Sequence, residues 1–598
     1  MDAVKERKTA AVWQYDVLIA GSGAGGLAAA VTAAHHGLKV LVAERADTIG
    51  GATARSGGWA WTPGNPLAKA DGVNEPRDAF RDYLKAVIGE ADYDGERIEM
   101  FLETAPHMVG FFQKHTPLEW AAGKKICDIY GKLPGAGTGH RSVAAAPFYA
   151  KSLPPHLLGI LPDQFKMTSF WGMGIMAGED LGHFLNAFKK PESFLYAAKR
   201  FGVHLFDKLV YRRNMQFVNG LALVARLAQA ADEKGAVIKT RSAVESLTRD
   251  ADSRVTGAYL QTPEGLVRVD AARGVVLATG GYPANVERRK NFPRNPDGTQ
   301  HWTLAPAEAD GSGLELAESA GGFFDQSGRS PAAWCPVSLV TFKDGSEGVF
   351  PHIADRAKPG IIGVLKNGKR FVNEANGYYD YVAAMLKAVP EGETVESWLI
   401  GDHRAIRSYM FGYAKPRPVP TALYTKYLGC IAEADTLDRL AEQCGIDPVG
   451  LMETVARFNQ NAKQGNDPDF GRGETPFNRY GGDASTGCPN PSLAPLGKGP
   501  YYAVRVLPGS FGTFAGIAVD ARSRVIREDG TAVDGLYSVG LDQKSVFGGN
   551  YPCGGINIGP ALTFGYAVGR ELACVRQYED DGSAMPSEEY RGTVLAGE

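Results

Sequence analysis

The sequence lacks a long uncharged apolar run, since no stretch approaches the roughly 20 residues that a membrane-spanning helix needs. The residues before the first apolar stretch are charged, so we expect no secretory signal peptide. The seven cysteines form no C-x-x-C pair, which argues against a c-type haem or a zinc site and for a reducing compartment. We therefore expect a cytoplasmic protein without a metal centre.

The sequence also lacks a large excess of either charge. Lys and Arg number 64 against 67 Asp and Glu, giving a net charge of -3, so there is no electrostatic case for a nucleic acid partner. The chain of 598 residues is long enough for two or more domains with large cores. Glycine is abundant instead, with 74 residues, and much of it lies in Gly-Gly loops that can cradle a cofactor.

Residues 15–45, YDVLIAGSGAGGLAAAVTAAHHGLKVLVAER, have the order of a β-α-β dinucleotide-binding unit. A short apolar strand leads directly into Gly-Ser-Gly-Ala-Gly-Gly at 21–26, and an Ala-rich helix follows. A second apolar strand ends at Glu44. A lone G-x-G-x-x-G is a weak signal, but strand, glycines, helix, strand and acid in this order are a strong one.

The three glycines of the fingerprint have separate expected roles. Gly21 permits the tight turn, Gly23 lets the backbone approach a pyrophosphate, and Gly26 lets the helix pack on the strand. The start of the helix presents free N–H groups to the phosphates. Glu44 would accept both hydroxyls of an adenosine ribose and repel a 2′-phosphate, so the predicted ligand is FAD or NAD rather than NADP.

Further motifs extend the pattern over nearly the whole chain: GGATARSGG at 50–58, ATGGYPAN at 278–285, RFVNE at 370–374 and a glycine-rich tail at 535–569. With the 21–26 fingerprint, they resemble the flavoproteins that include fumarate reductase flavoprotein subunits and 3-ketosteroid dehydrogenases. The resemblance implies an α/β fold with a Rossmann-type, glutathione-reductase-like FAD domain and an inserted α+β catalytic domain.

The same resemblance implies a discontinuous FAD domain built from both ends of the chain. We predict its first part at 10–300, the catalytic domain at 301–496, and the second part of the FAD domain at 497–580. Residues 144–213 are expected to be an insertion. Its aromatic and Met-rich stretch at 170–176 fits a core, the wall of an apolar pocket, or a contact with a membrane surface.

The predicted cofactor is non-covalent FAD, because the loop containing Thr53 and Ser56 has no histidine for a covalent link. These two hydroxyls are expected to donate hydrogen bonds to it. The resemblance implies that Ala243 and Val244 hold the adenine and that the turn at 279–281 lies beside the cofactor. The predicted cofactor-binding residues are Gly21, Ser22, Gly23, Ala24, Gly25, Gly26, Glu44, Arg45, Gly51, Ala52, Thr53, Ser56, Gly57, Gly58, Ala243, Val244, Thr279, Gly280, Gly281, Gly540, Asp542, Asn557 and Ile558.

The residues after RFVNE separate two branches of the family. Fumarate reductases have an arginine where this chain has Tyr378, and a histidine that the segment 511–516 lacks. Without these charge partners a four-carbon dicarboxylate is a poor substrate. The ketosteroid 1-dehydrogenases instead have a tyrosine at the position of Tyr378, and a tyrosine four residues before a glycine, as in Tyr551 and Gly555.

The resemblance implies a catalytic role for each of these residues. The Tyr551 hydroxyl and the Gly555 N–H would donate to a ketone oxygen and acidify the α-carbon. Tyr378, as phenolate, would remove the α-proton, with its pKa lowered and turnover faster at alkaline pH. Tyr130, located by counting back from Pro-Gly at 134–135, would assist it by hydrogen bonding, and Tyr149 is a rival for that role.

The sequence thus predicts an FAD-dependent dehydrogenase that desaturates a cyclic ketone, steroid-like or smaller, while flavin N5 accepts hydride from the β-carbon. Its electrons would leave to a quinone, a dye-like acceptor or oxygen, because there is no second dinucleotide fingerprint. Two alternatives stay open. One is an ene-reductase acting on an activated alkene, and the other is a non-catalytic flavin-binding protein.

Overall fold

Residues 11–578 are the part of the chain that this computed structural model describes. Helices and short strands alternate after β1, and four successive strands precede the last helix. The strands are β1 Ala11–Ala20, β2 Val40–Ala43, β3 Trp59–Trp61, β4 Trp120–Ala122, β5 Ser142–Ala145, β6 Phe148–Tyr149, β7 Gln216–Phe217, β8 Val237–Lys239, β9 Ala243–Arg249, β10 Val255–Thr262, β11 Gly265–Leu277, β12 Trp302–Thr303, β13 Phe324–Asp325, β14 Ala332–Thr341, β15 Glu347–Pro351, β16 Ile361–Val364, β17 Ser397–Asp402, β18 Ala432–Ala434, β19 Tyr501–Thr513, β20 Gly516–Ile517, β21 Arg524–Ile526 and β22 Ala532–Ser538.

The helices range from single turns to more than five turns. They are α1 Ala24–His35, α2 Gly51–Arg55, α3 Pro66–Ala70, α4 Arg77–Ile88, α5 Gly95–His115, α6 Pro155–Ile160, α7 Glu179–Asn186, α8 Pro191–Tyr211, α9 Asn219–Glu233, α10 Ser312–Ser319, α11 Tyr378–Ala388, α12 His403–Ser408, α13 Leu437–Cys444, α14 Pro448–Gln464, α15 Pro476–Gly481 and α16 Ile558–Leu572.

The first sheet has the strand order β21-β22-β11-β1-β2-β8. The strands β22, β11, β1, β2 and β8 run parallel to one another. Residues 17–20 of β1 and 40–43 of β2 have fully buried apolar side chains. Such continuous apolar runs are expected where helices cover both faces of a parallel sheet. Since β22 follows the whole middle of the chain and still pairs with β11, this sheet is built from both ends.

Two helices from opposite ends of the chain pack closely beside this sheet. The first, α1, is rich in alanine and glycine, and it packs on α16. A Cβ on Gly565 would lie 2.3 Å from the carbonyl oxygen of Gly25, so the close approach of the two backbones requires a glycine there. This packing places the start of each helix at the same end of the first sheet.

The second sheet has the order β15-β14-β19-β17-β16, and β12 and β18 also pair with β19. Its longest strand is β19, which pairs antiparallel with both β14 and β17. We predicted that the second part of the FAD domain begins at residue 497. In the structure β19, which follows that residue, belongs to the second sheet, and the chain rejoins the first sheet only at β21. Local sequence patterns do not reveal such long-range pairing.

Two loops and turns have a definite local structure. Residues 437–464 form two helices, α13 and α14, because Gly445 has a φ of 69° and ends the first of them. Asp447 then caps α14 by accepting hydrogen bonds from the N–H groups of Val449 and Gly450. The loop predicted around 50–58 contains the short helix α2.

The predicted insertion at 144–213 contains α6, α7 and α8. Within its aromatic stretch Met173 is buried, whereas Trp171 is 68% exposed. In α8 the outer face carries large apolar side chains, including Phe206 and Leu209. Within residues 11–578, no helix combines the length and apolarity that crossing a membrane requires.

Candidate active site

A cavity of about 3370 Å³ lies where residues from the first sheet, the second sheet and the C-terminal glycine loop meet. Its walls include the turn after β1, the helix α2, the start of α11 and the loop before α16. Ligands of open α/β sheets bind beyond the carboxyl ends of the strands, which is where the turn after β1 lies. This cavity is therefore the candidate active site.

Most of the predicted cofactor-binding residues line this cavity. Those that do are Gly21, Ser22, Gly23, Ala24, Gly25, Glu44, Arg45, Gly51, Ala52, Thr53, Ser56, Gly57, Gly58, Ala243, Val244, Thr279, Gly280, Gly540, Asn557 and Ile558. The predicted catalytic residues Tyr378, Tyr551 and Gly555 line it as well. Segments more than 500 residues apart in sequence therefore come together around one space.

Two glycines of the fingerprint are required by the packing of the protein itself, and a third leaves space that a dinucleotide could fill. A Cβ on Gly21 would lie 2.2 Å from the carbonyl oxygen of Ala278, and a Cβ on Gly26 would lie 2.1 Å from that of Gly21, so the protein itself requires both glycines. A Cβ on Gly23 would meet only the Thr53 hydroxyl, at 3.6 Å, and would otherwise extend into free space. That space is what a pyrophosphate needs, so these residues fit FAD.

Glu44 lines the cavity with part of its carboxylate already engaged. It accepts hydrogen bonds from the N–H of Ala46 at 2.9 Å and the N–H of Ser22 at 3.1 Å, and from the Ser22 hydroxyl. A carboxylate has about four acceptor positions, so Glu44 keeps acceptor capacity for ribose hydroxyls. Its predicted contact with the ribose stays a prediction.

The hydroxyls of Thr53 and Ser56 make hydrogen bonds within the protein. The N–H of Ala24 donates to the Thr53 hydroxyl at 3.1 Å. The Ser56 hydroxyl donates to the Thr53 carbonyl oxygen at 2.7 Å and accepts from the N–H of Gly58 at 3.0 Å. The Ser56 proton is thus used to hold the α2 turn, which differs from its predicted donation to the cofactor.

Gly26, Gly281 and Asp542 do not line the cavity. The buried Asp542 carboxylate accepts hydrogen bonds from the N–H of Gly281 at 2.8 Å and from the hydroxyl of Thr279 at 2.9 Å. Its predicted direct contact with the cofactor stays a prediction. Asp542 holds the turn at 279–281, and burial raises the pKa of its carboxyl group while these donors oppose that rise.

The two predicted catalytic tyrosines are in direct contact. Tyr378 is the first residue of α11, and its hydroxyl donates to the Tyr551 hydroxyl over 2.9 Å. Their ring centroids are 4.9 Å apart at an angle of 81°. Phe511, from β19, packs edge-on against Tyr378 with a centroid distance of 5.1 Å. The pair is thus held rigidly by elements from three parts of the chain.

The surroundings of this pair do not lower the pKa of Tyr378, which the sequence analysis predicted. Burial raises the pKa of Tyr378 well above its usual value, and the hydrogen bond that it donates to Tyr551 raises it further. Burial likewise raises the pKa of Tyr551. Both residues are therefore neutral hydroxyls over the physiological range in the protein alone.

Gly555 supplies a backbone group to the same wall. Its φ is 100°, and a Cβ there would lie 2.7 Å from the Trp61 nitrogen, so no other residue fits. Its carbonyl oxygen accepts a hydrogen bond from the Trp61 N–H at 3.0 Å. Among residues 11–578 nothing accepts a hydrogen bond from the Gly555 N–H, so this donor is free for a ligand.

Within residues 11–578, no hydrogen bond joins Tyr130 and Tyr378, so the predicted assisting hydrogen bond is wrong. Its hydroxyl donates to the Asp380 carboxylate at 2.9 Å, and Tyr130 does not line the cavity. The rival, Tyr149, donates to Asp207 in the insertion. Sequence reasoning missed Asp380, whose pKa is raised to about 6 by burial, because a carboxylate two residues after Tyr378 has no distinctive spacing.

Sequence reasoning also missed a basic part of the cavity wall. Lys358, Lys415 and Arg417 line the cavity on the side of the second sheet. The available signal was the Lys-Pro-Arg-Pro pattern at 415–418, in which two cations alternate with prolines.

Cys553, in the C-terminal glycine loop, is fully buried and donates to the Cys127 carbonyl oxygen at 3.5 Å, as a small residue that fills space would.

These features define a flavoprotein, and comparison with known proteins gives its family. A family model described as an FAD binding domain matches residues 16–558, and the chain belongs to this family. The predicted fold class and FAD as cofactor are confirmed, and the chain is an FAD-dependent oxidoreductase.

Three similar proteins narrow the comparison. The chain is 40% identical to the 4-oxocyclohex-2-ene-1-carboxylate 5-dehydrogenase of Sinomonas cyclohexanicum, over 97% of both proteins. It is 36% identical to the 3-oxosteroid 1-dehydrogenase of Mycolicibacterium smegmatis, over 94% of this chain and 97% of that relative. The crystal structure of the 3-ketosteroid delta1-dehydrogenase of Sterolibacterium denitrificans, in complex with 1,4-androstadiene-3,17-dione, superimposes with a TM-score of 0.85 at 33% identity, covering 94% of this chain and 99% of that one. The predicted resemblance to the ketosteroid dehydrogenase branch is confirmed.

Proposed function

We propose that this chain is a dehydrogenase that introduces a carbon–carbon double bond α,β to the carbonyl of a cyclic ketone. The observation that carries the proposal is the pair of hydroxyls of Tyr378 and Tyr551, 2.9 Å apart, on the wall of the FAD cavity. The names of the relatives support it, because they describe dehydrogenases of a 3-oxosteroid and of a 4-oxocyclohexene carboxylate. Those substrates share a ring ketone but differ in size and charge.

In this proposal two donors bind the ketone oxygen. The Tyr551 hydroxyl is buried and fixed by its contact with Tyr378, and the N–H of Gly555 has no partner within residues 11–578. Donors held in place before the reaction stabilise negative charge that develops on the oxygen as the α-proton leaves. This pair therefore serves as an oxyanion hole for an enolate-like transition state.

Tyr378 is the proposed base. Its hydroxyl oxygen lies beside the Tyr551 hydroxyl, so a ketone bound to Tyr551 has its α-carbon within reach of Tyr378. The α-carbon loses its proton to the phenolate oxygen of Tyr378, and the double bond forms as the β-hydrogen leaves with its electron pair. Bound FAD supplies the oxidant that takes up this hydride at flavin N5.

The test is anaerobic bleaching of the purified yellow protein by a 3-ketosteroid, cyclohexanone, succinate and NADH, each alone. Bleaching by a ketone but not by succinate or NADH supports desaturation. Bleaching by NADH alone points to an ene-reductase that runs the same chemistry in reverse, since the same hydroxyls would protonate and polarise an activated alkene. A protein that no donor bleaches and no enone reoxidises fits the non-catalytic alternative.

We propose a quinone-like or dye-like molecule as the electron acceptor.

We also propose a contact between α8 and a membrane surface. The outward side chains of Phe206 and Leu209 are 56% and 74% exposed, and α8 also carries the exposed basic residues Lys199 and Lys208. Apolar and basic side chains on one helix suit an anionic lipid surface. Sedimentation with anionic vesicles, lost in the Leu209→Glu variant, tests this contact, and no sedimentation of the unaltered protein refutes it.

A further inference from the structure

The basic residues on the second-sheet side of the cavity raise the question of what they bind. Lys415 and Arg417 belong to the segment 415–418, Lys-Pro-Arg-Pro, and both line the same cavity as Tyr378 and Tyr551. The two prolines restrict the backbone between and after the cations, so the cations keep a fixed spacing along the wall. Cations on a cavity wall are a feature of sites for anionic ligands.

Lys415 has no anionic partner in the part of the chain that the structure describes. Its ammonium group lies 5.1 Å from the centre of the Tyr413 ring and 5.6 Å from that of Phe350, which are weak cation–π contacts. Arg417 likewise takes part in no ion pair among residues 11–578. Both cations therefore keep their charge available to a ligand.

The carboxylate whose charge acts on Lys415, that of Asp355, is occupied by other donors. One of its oxygens is hydrogen-bonded to the His352 ring at 2.6 Å and accepts from the N–H of Gly412 at 3.0 Å. The other accepts from the N–H of Arg356 at 3.1 Å. Asp355 thus fixes the backbone near Lys415 and does not form a salt bridge with it.

One short segment holds both the basic wall and the tyrosine wall in place. The Asp355 carboxylate binds the N–H of Gly412, three residues before Lys415. The neighbouring Arg356 donates from its guanidinium to the carbonyl oxygens of Glu374 and Asn376, at 2.8 Å and 3.2 Å, just before Tyr378. The position of Lys415 relative to Tyr378 is therefore set by a buried polar network and not by a loose surface loop.

A desolvated cation without a partner is costly, and the cost is recovered when a ligand brings the opposite charge. Burial lowers the pKa of Lys415 to about 8, so its ammonium form is poorly solvated in the cavity. A neutral ring ketone bound at Tyr551 would leave this cation unpaired and remove more water from it. A ketone that also carries an anionic group would pair with it.

We propose that the substrate is a cyclic ketone bearing a carboxylate, which pairs with Lys415, while Arg417 adds a second cation at the outer side of the site. This inference rests on the proposed function, since it assigns the ketone of the same molecule to Tyr551 and Gly555. In this arrangement the ketone oxygen faces Tyr551 and Gly555 and the carboxylate faces Lys415, so the two ends of the substrate make different contacts with the cavity wall.

The test compares 4-oxocyclohexanecarboxylate with its methyl ester, using the holoenzyme, a dye acceptor and no oxygen. The Lys415→Met variant is expected to raise KM for the carboxylate by roughly 30-fold, because a hydrogen bond to a charged group is lost, and to leave KM for the ester unchanged. Lys415→Arg is expected to retain tight binding. Lys426→Met, an exposed lysine that does not line the cavity, is the matched control.

A binding measurement separates this inference from the proposed function. Benzoate and benzamide are titrated into the holoenzyme and followed by the flavin difference spectrum, which needs no turnover. Benzoate is expected to bind more tightly than benzamide in the unaltered protein but not in Lys415→Met. Equal effects of Lys415→Met on the acid and the ester, or no preference for benzoate, would overturn the carboxylate assignment. Failure of every ketone to be oxidised, with benzoate binding intact, would instead refute the proposed function.

Discussion

Replacing Tyr378 by phenylalanine removes one oxygen atom from the cavity wall and leaves the ring in place. The ring keeps its edge-on contacts with Phe511 and Tyr551, and only the 2.9 Å hydrogen bond to the Tyr551 hydroxyl is lost. Such a bond contributes about 1 kcal/mol to stability, so the variant should fold and bind FAD. As the base is gone, kcat is expected to fall by about 10²- to 10⁴-fold.

The dependence of turnover on pH follows from the raised pKa of Tyr378. A base acts only when deprotonated, and a group whose pKa lies above its ordinary value of about 10 is mostly protonated at lower pH. The fraction of phenolate therefore rises about tenfold for each pH unit, and kcat should rise with a slope near one from about pH 6 to about pH 10. The sequence also led us to expect faster turnover at alkaline pH, but from a lowered pKa.

The assay is single-turnover flavin reduction at saturating ketone, measured by stopped flow at several pH values, so that chemistry and not product release is observed. Tyr381→Phe is the control, because Tyr381 lies on the same helix and does not line the cavity. Its hydroxyl shares a hydrogen bond of 3.0 Å with the Ser397 hydroxyl. A Tyr378→Phe variant that reduces its flavin at the normal rate would refute the proposed base. So would a flat pH profile of that same step in the unaltered protein.

Three further results are expected. For an anionic ketone, KM should rise above about pH 8, where Lys415 with its pKa of about 8 loses its charge, and this rise should vanish in Lys415→Arg, since arginine stays charged. The Gly23→Leu variant should fold with the thermal stability of the apoprotein but be purified with little FAD. The Gly26→Ala variant should lose about 1–3 kcal/mol or more of stability in chemical denaturation, because its Cβ would lie 2.1 Å from a carbonyl oxygen. Asp542→Ala leaves three donors of the 279–281 turn without this acceptor, one of them buried and two partly buried. Thermal unfolding should show a loss of about 2–4 kcal/mol, and a loss below 1 kcal/mol would contradict the assigned role.

The elements that could be predicted from the sequence are those whose signals are local. The β-α-β unit was predictable because a side chain at Gly21 or Gly26 would collide with the backbone, while Gly23 leaves space for a pyrophosphate. The helix begins at Ala24, inside the 21–26 fingerprint. Tyr378 and Tyr551 were found only through their offsets from family motifs. Their direct contact, across 173 residues of sequence, is a tertiary fact.

The features that could not be predicted depend on which residue a polar group meets in three dimensions. The family resemblance and the count back from Pro-Gly at 134–135 predict a hydrogen bond between Tyr130 and Tyr378. In the structure Tyr130 donates to Asp380, and the sequence gives no sign of which acceptor lies opposite. Asp542 is one of the predicted cofactor-binding residues, and in the structure its buried carboxylate satisfies N–H groups of its own protein. Lys415 was overlooked since a lysine in a proline-rich loop usually indicates a solvated surface.

The assembly of the first sheet from both ends of the chain has a consequence for biosynthesis. The strand β22 and the helix α16 complete the wall that faces the glycine turn after β1, and both are made long after β1 and α1. A nascent chain that has already formed β1 and α1 still exposes the apolar side of α1 until Gly565 and its neighbours arrive. We therefore expect flavin capture to wait until β22 and α16 have been synthesised, and a chain that stops before α16 to retain no cofactor.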